Sequence, residues 1–209
     1  MRENKSVSLK AVCILLAVVL LIGCVAGGTL AYLFTQTDPV KNTFAASGIE
    51  LTLTEHKSNA DGTLDTNVTV KNNEYKLIPG KTYAKDPVVT ITNDIDCYLF
   101  IKVELKANEY LTYTLNLNGW NVLDENEHSV VYYRTVAANA LTKSWNLLVD
   151  NNVTVKSDLV LSNMTTAATN SGLTFTAYAV QNEGLSETQA WNVAQGLNPD
   201  GSEITNNNG

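Results

Sequence analysis

Ile49-Glu50-Leu51-Thr52-Leu53-Thr54-Glu55 alternates apolar and polar residues, with Ile49, Leu51 and Leu53 on one side and Glu50, Thr52 and Thr54 on the other. A period of two sends successive side chains to opposite faces of an extended chain, so this stretch reads as a strand with one face in a core. The pattern returns downstream. Pro87 opens Val88 to Thr92, where Val89 and Ile91 share a face, and Asn93-Asp94 ends it. Tyr98 to Leu105 runs back with Leu99, Ile101, Val103 and Leu105 on one face. Residues 88–105 therefore read as a hairpin.

Working outward, Val68 and Val70 mark a short strand before Asn72-Asn73, and Pro79-Gly80 marks a turn. Tyr110 to Leu117 sets Leu against Tyr and Thr and runs into Asn118-Gly119, a hairpin turn signal. Trp120 to Leu123 and Ser129 to Val136 flank the acidic loop Asp124-Glu125-Asn126-Glu127-His128. Ser144 to Val149, Val153 to Leu161 and Leu173 to Gln181 complete the candidate strands. One helix is expected near the end: Ser186 with Gln189 makes a capping box, and Ala190 to Gln195 is stopped by Gly196. From Asn198 onward, through the closing Asn-Asn-Asn-Gly, the chain reads as a disordered tail.

Composition agrees. Among 209 residues are 24 Thr, 24 Asn and 21 Val. Thr and Val suit pleated surfaces and Asn suits turns, so the chain reads as all-β with many loops. Strands closely spaced, with no helices between them, argue for an antiparallel β-sandwich. The formal charge is −7, with no basic stripe of the kind that neutralises phosphates, which argues against nucleic acid as a partner.

Arg2, Lys5 and Lys10 precede an apolar run from Ala11 to Ala26. Basic residues stay on the cytoplasmic side while the apolar run enters the membrane, so residues 1–31 read as an export signal or, if uncleaved, a membrane anchor. Thr29-Leu30-Ala31 places small residues where a signal peptidase needs them, with Tyr32 as the new N-terminus. A rival is Leu21-Ile22-Gly23-Cys24, which fits lipoprotein processing with a lipid on Cys24. Cleavage after Ala31 leaves 11 basic and 20 acidic residues, a net −9, and a single cysteine, Cys97. Cys97 opens an apolar strand and reads as a small buried hydrophobe.

Gly27-Gly28-Thr29-Leu30-Ala31-Tyr32-Leu33, Asn42-Thr43-Phe44, Ser47-Gly48 and the strand Ile49 to Glu55 together resemble the SipW-dependent TasA/camelysin family of exported Gram-positive proteins. Ile78-Pro79-Gly80, Asp86 to Asn93 and Tyr98 to Glu104 also look like that family's central strands, and beyond about residue 110 little can be carried over. The resemblance implies a jelly-roll-like sandwich, cleavage after Ala31 by a signal peptidase of the SipW type, secretion, and a place in a surface or biofilm matrix. It also implies self-association into fibres, the N-terminal segment of one subunit completing a sheet of the next.

The residues support a physical version of that route. Tyr32, Leu33, Phe34, Val40 and Phe44 make an apolar segment whose backbone an open sheet edge can pair, and a head-to-tail contact of this kind propagates. Pro39 has no N–H and interrupts a continuous strand, and the alternative is that the segment pairs within its own subunit or stays a flexible linker. The expected organisation is thus a signal or anchor over 1–31, a candidate donor strand over 32–47, a sandwich over 48–197 and a tail over 198–209.

The camelysin branch has been classed with metallopeptidases. A zincin holds zinc with two His four residues apart, and this chain has only His56 and His128, each beside turn residues and read as a solvated loop histidine. No nucleophile elbow or phosphate-binding glycine loop is present. The chain reads as non-catalytic and without a cofactor. Trp120, Tyr132, Tyr133, Trp145, Tyr178 and Trp191 are weighed as a glycan platform against the plainer reading of core aromatics. The alternative function is a membrane- or lipid-anchored surface module that binds glycan or protein ligands.

Overall fold

The computed structural model describes residues 34–36, 43–44, 48–104, 109–159 and 172–204. All belong to the second of two compact units, Leu33–Gly209. The signal segment, with Cys24, Thr29, Ala31 and Tyr32, lies outside the described residues, as do Leu33 and Val40. Among the described residues no helix is long and apolar enough to cross a membrane.

The described chain is mostly strand, with one short α-helix, and every strand pair is antiparallel. The strands are β1 (Phe34–Gln36), β2 (Thr43–Phe44), β3 (Ile49–Ser58), β4 (Leu64–Val70), β5 (Thr82–Ala84), β6 (Val88–Asn93) and β7 (Cys97–Glu104). They continue as β8 (Leu111–Thr112), β9 (Asn121–Glu125), β10 (Ser129–Val136), β11 (Ser144–Asn146), β12 (Asn152–Val155) and β13 (Thr174–Gln181), and the helix α1 is Glu187–Ala194. One sheet runs β1-β13-β7-β10-β9. A second runs β11-β6-β3-β2, with β4 also on β3, and a third, smaller one runs β5-β12-β8.

The alternation read from the sequence builds the core. Ile49, Leu51 and Leu53 of β3 and Val89 and Ile91 of β6 are buried with Cys97, Leu99, Ile101 and Val103 of β7 and Phe175, Ala177 and Ala179 of β13. The first two sheets therefore share one apolar interior. Strand β13 is buried on its other face as well, because α1 lies there: the Trp191 ring sits 5.1 Å from Tyr178 and 5.4 Å from Phe100. The capping box of that helix is formed as expected, Ser186 Oγ accepting from Gln189 N and Gln189 Oε1 accepting from Ser186 N. Beyond it, Leu197 bridges to Glu203 and Asn198 N donates to Ser202 O at 2.9 Å.

The expected hairpin over 88–105 does not form. Strand β6 pairs with β3 and β11, and β7 pairs with β10 and β13, so the chain crosses from one sheet to the other between Asn93 and Cys97. The crossing is fixed by a buried side chain. Asn93 Nδ2 donates to Ile95 O at 2.8 Å and to Val136 O at 3.3 Å, while Asp94 N donates to Gly48 O at 2.9 Å. Gly48 has φ +75°, a left-handed conformation that glycine adopts without strain, and a Cβ there would displace the Asp94 carboxylate.

The segment Tyr110 to Leu117 is likewise shorter as a strand than its pattern suggests, β8 holding two residues on β12. The turn at Asn118-Gly119 does close, Trp120 N donating to Leu117 O, but β9 after it pairs with β10 instead of returning along β8.

Candidate functional site

Two places in the described chain carry arrangements beyond packing: the N-terminal edge, and a charged network beside a cavity. At the edge, β1 lies antiparallel on β13 with Phe34 opposite Val180, Thr35 opposite Ala179 and Gln36 opposite Tyr178. Thr43 and Phe44 lie opposite Leu51 and Glu50 of β3. The segment that precedes β3 thus supplies an edge strand to each of the two larger sheets within its own chain, the arrangement weighed above as the alternative to exchange.

The network grows from the far end of β3. Continuing the inward set 49, 51, 53 by two residues places Glu55 inward, and it is 5% exposed. A carboxylate there needs partners. Lys85 Nζ donates to Glu55 Oε2 at 2.5 Å, and Asn73 Nδ2 donates to Oε1 at 3.0 Å. Lys85 is held by its backbone as well, since its N–H donates to Asn151 O at 2.8 Å. Asp150 and Asn151 both have positive φ (56° and 49°), a conformation Asp and Asn adopt more readily than most residues.

Next to this pair, Asp86 receives His56 N on Oδ1 at 2.9 Å and lies 2.5 Å from His56 Nδ1 through Oδ2. His56 is therefore a strand residue in a paired position and not a solvated loop histidine. It lies on the outward face of β3 with Thr52 and Thr54, just before the β3–β4 register shifts between His56 and Lys57. Tyr75 packs over the network, 5.8 Å from Lys85 Nζ to its ring centroid. Burial, and after it the carboxylates of Glu55 and Asp86, push the Tyr75 phenol above its ordinary value.

Against the network opens a cavity of about 750 Å3. Its walls include Leu53, Leu111, Val153, Val155, Leu173 and Phe175, and Glu55 and Lys85 line it too. It lies where the small β5-β12-β8 sheet, with Tyr83, Tyr110, Val155 and Leu159, meets the main core.

The remaining sequence candidates are scattered. His128 N donates to Asn126 Oδ1 in the β9–β10 turn, and among the described residues no group of three His, Cys, Asp or Glu gathers to hold a metal. Cys97 is fully buried, its Sγ 3.7 Å from Val136 O, and burial pushes its thiol up to about 12.

The six aromatics fall into two groups. Tyr133, Tyr178 and Trp191 are linked through Phe100, whereas Trp120, Tyr132 and Trp145 pack against the main core. Arg134, opposite Leu99 in register and so on the core side of β10, is stacked on Trp145 (4.2 Å) and Trp120 (5.1 Å). Its Nε and Nη1 are buried without a hydrogen-bond acceptor, and burial lowers its pKa.

Tyr75, Lys85 and Arg134 carry no signal in the sequence, and Asn73 and Asp86 figure there only as a strand end and the start of a strand-like stretch. The one local signal was Glu55, a charged residue at an inward position, since it demanded a cation from somewhere else in the chain. Compared with protein-family models, with curated proteins and with solved structures, the chain finds no match.

Proposed function

We propose that the chain is a secreted structural subunit of a bacterial cell-surface or biofilm matrix, a jelly-roll-like β-sandwich that assembles by N-terminal strand exchange after cleavage at Thr29-Leu30-Ala31. What supports this reading is the open edge of β13, which fits the N-terminal strand β1, here from the same chain. A three-residue strand at the sheet edge, 144 positions from its partner Ala179 at Thr35, holds few backbone hydrogen bonds. The same edge accepts the same residues from a neighbouring copy with identical register. Exchange then trades an internal contact for an equivalent external one, and because the contact is head-to-tail the product is a filament. The subunit acts without catalysis and without a cofactor. Its partners are the export membrane, a signal peptidase of the SipW type and further copies of itself, and nucleic acid is not among them.

The test is electron microscopy of residues 32–209, beginning at Tyr32, over rising concentration. Filaments are expected, and a chain beginning at Gly48 should stay monomeric. Equal polymerisation of the two would overturn the mechanism. A second reading, a surface module held by a lipid on Cys24 or by an uncleaved anchor and binding a ligand, draws its support from the cavity beside Lys85. Absence of lipid and of the 1–31 segment from protein recovered from its native host would count against it.

A further inference from the structure

The cavity takes no part in strand exchange, and its shape and charge pattern are those of a binding site. At about 750 Å3 it falls within the range that small-molecule sites occupy, about 300–1,000 Å3. Part of its wall is hydrocarbon: Leu53, Val153, Val155 and Phe175 are buried, with Leu111 half-buried beside them.

Much of the rest of the lining is polar, with Asn73 and Tyr75 beside the Glu55–Lys85 pair. Glu55 is spent, with both oxygens engaged by Lys85 and Asn73. Lys85 is not: Nζ gives one proton to Glu55, and its other two meet no acceptor oxygen among the described residues. An ammonium carries three donors, so this head can take a second anion. The exposed lining adds Lys71 and Lys76 against Glu74, which leaves the cavity one positive charge in excess within a chain of net charge −7.

We propose that the cavity binds a single-chain amphiphile with a carboxylate head, a fatty acid, its tail along Leu53, Val153, Val155 and Phe175 and its head on Lys85. A neutral hydrocarbon would leave the Lys85 donors unused, and a cationic head would meet an ammonium whose counter-ion is already taken. Burial of the alkyl chain supplies affinity, and the charge-assisted hydrogen bond at Lys85 selects the head.

The experiment is photo-crosslinking of the full chain, held in a sterol-based detergent that offers no competing alkyl chain, with dodecanoic acid carrying a mid-chain diazirine. Peptide mapping should place the label on the segments containing Leu111 and Leu173 to Phe175. Unlabelled dodecanoate should compete about tenfold or more better than dodecanol or dodecylamine, the worth of one charge-assisted hydrogen bond. Leu77→Trp, at the half-buried rim, should cut labelling severalfold while the unfolding midpoint holds. Lys85→Met combined with Glu55→Gln, which removes both charges together, should abolish the preference for the carboxylate but keep the label. Labelling that falls only on residues 11–26, or that ignores Leu77→Trp, would overturn the site. Equal competition by all three head groups would overturn the carboxylate.

Discussion

Lys85 Nζ donates to Glu55 Oε2 across 2.5 Å, with the lysine side chain 11% and the glutamate 5% exposed. The two residues are 30 positions apart, and the bond ties the end of β3 to the chain just ahead of β6. Taking one charge away strands the other in a low-dielectric interior, which costs about 3–5 kcal/mol. Lys85→Met and Glu55→Gln should each lower stability, and the double variant should lose less than the sum. Urea unfolding of the two singles and the double measures the coupling. Strict additivity would mean the ion pair is not what holds this junction.

Cys97 carries a pH dependence of definite sign. Its folded pKa is raised to about 12 from an ordinary 9.0. Its contribution to stability is complete below pH 9 and is lost as pH rises towards the folded value, because the unfolded thiol ionises first. The loss is about 1.4 kcal/mol for each pH unit in that window. The buried Tyr75 phenol shifts the same way and adds to it. Urea midpoints at pH 8 and pH 10.5 should fall further in the native chain than in Cys97→Ala. Equal falls would place the titration elsewhere.

Gly119 and Arg134 should be coupled. Gly119 has φ +75°, and a Cβ there would stand 2.9 Å from Arg134 Nη2. Gly119→Ala pays about 1–2 kcal/mol for the left-handed backbone, plus whatever it costs to push the guanidinium off Trp120 and Trp145. In an Arg134→Met background the second part disappears, so Gly119→Ala should be milder there. Thermal unfolding of the four chains resolves it.

The α1 cap and its anchor differ in weight. Ser186→Ala removes one half of the capping box and should cost about 1 kcal/mol. Trp191→Ala empties the space between Tyr178 and Phe100 and should cost about 3–5 kcal/mol. Comparable losses from the two would mean that the helix is held by its end and not by its buried face.

What could be read in the sequence follows the range of the interactions involved. Alternation at Ile49, Leu51 and Leu53 and the Ser186–Gln189 box are local patterns with local causes, and both appear as expected. Alternation says which face is inward but not which sheet a strand joins. Val89 and Ile91 face the core from one sheet and Leu99 and Ile101 from the other, and both look identical in sequence. The Asn93 latch that sends the chain across depends on Val136, 43 positions away. The charged network is non-local for the same reason: His56 meets Asp86 over 30 positions, and Asn73 reaches Glu55 over 18. Arg134 falls on the inward face of β10 with Tyr132 and Val136, but the rings that receive it, Trp120 and Trp145, come from outside that strand.

Strand exchange is the central claim, and a cysteine pair tests it directly. Thr35 and Ala179 are opposite each other in register, and antiparallel partners stand about 4.5–5.5 Å apart at Cα, within reach of a disulfide. Thr35→Cys and Ala179→Cys are made in separate chains beginning at Tyr32, then mixed and oxidised under conditions that give filaments. The expected result is a disulfide between residue 35 of one chain and residue 179 of another, identified by peptide mapping. If the mixture never crosslinks, while a single chain carrying both cysteines closes on itself, the N-terminal strand stays in its own subunit and the assembly mechanism is wrong.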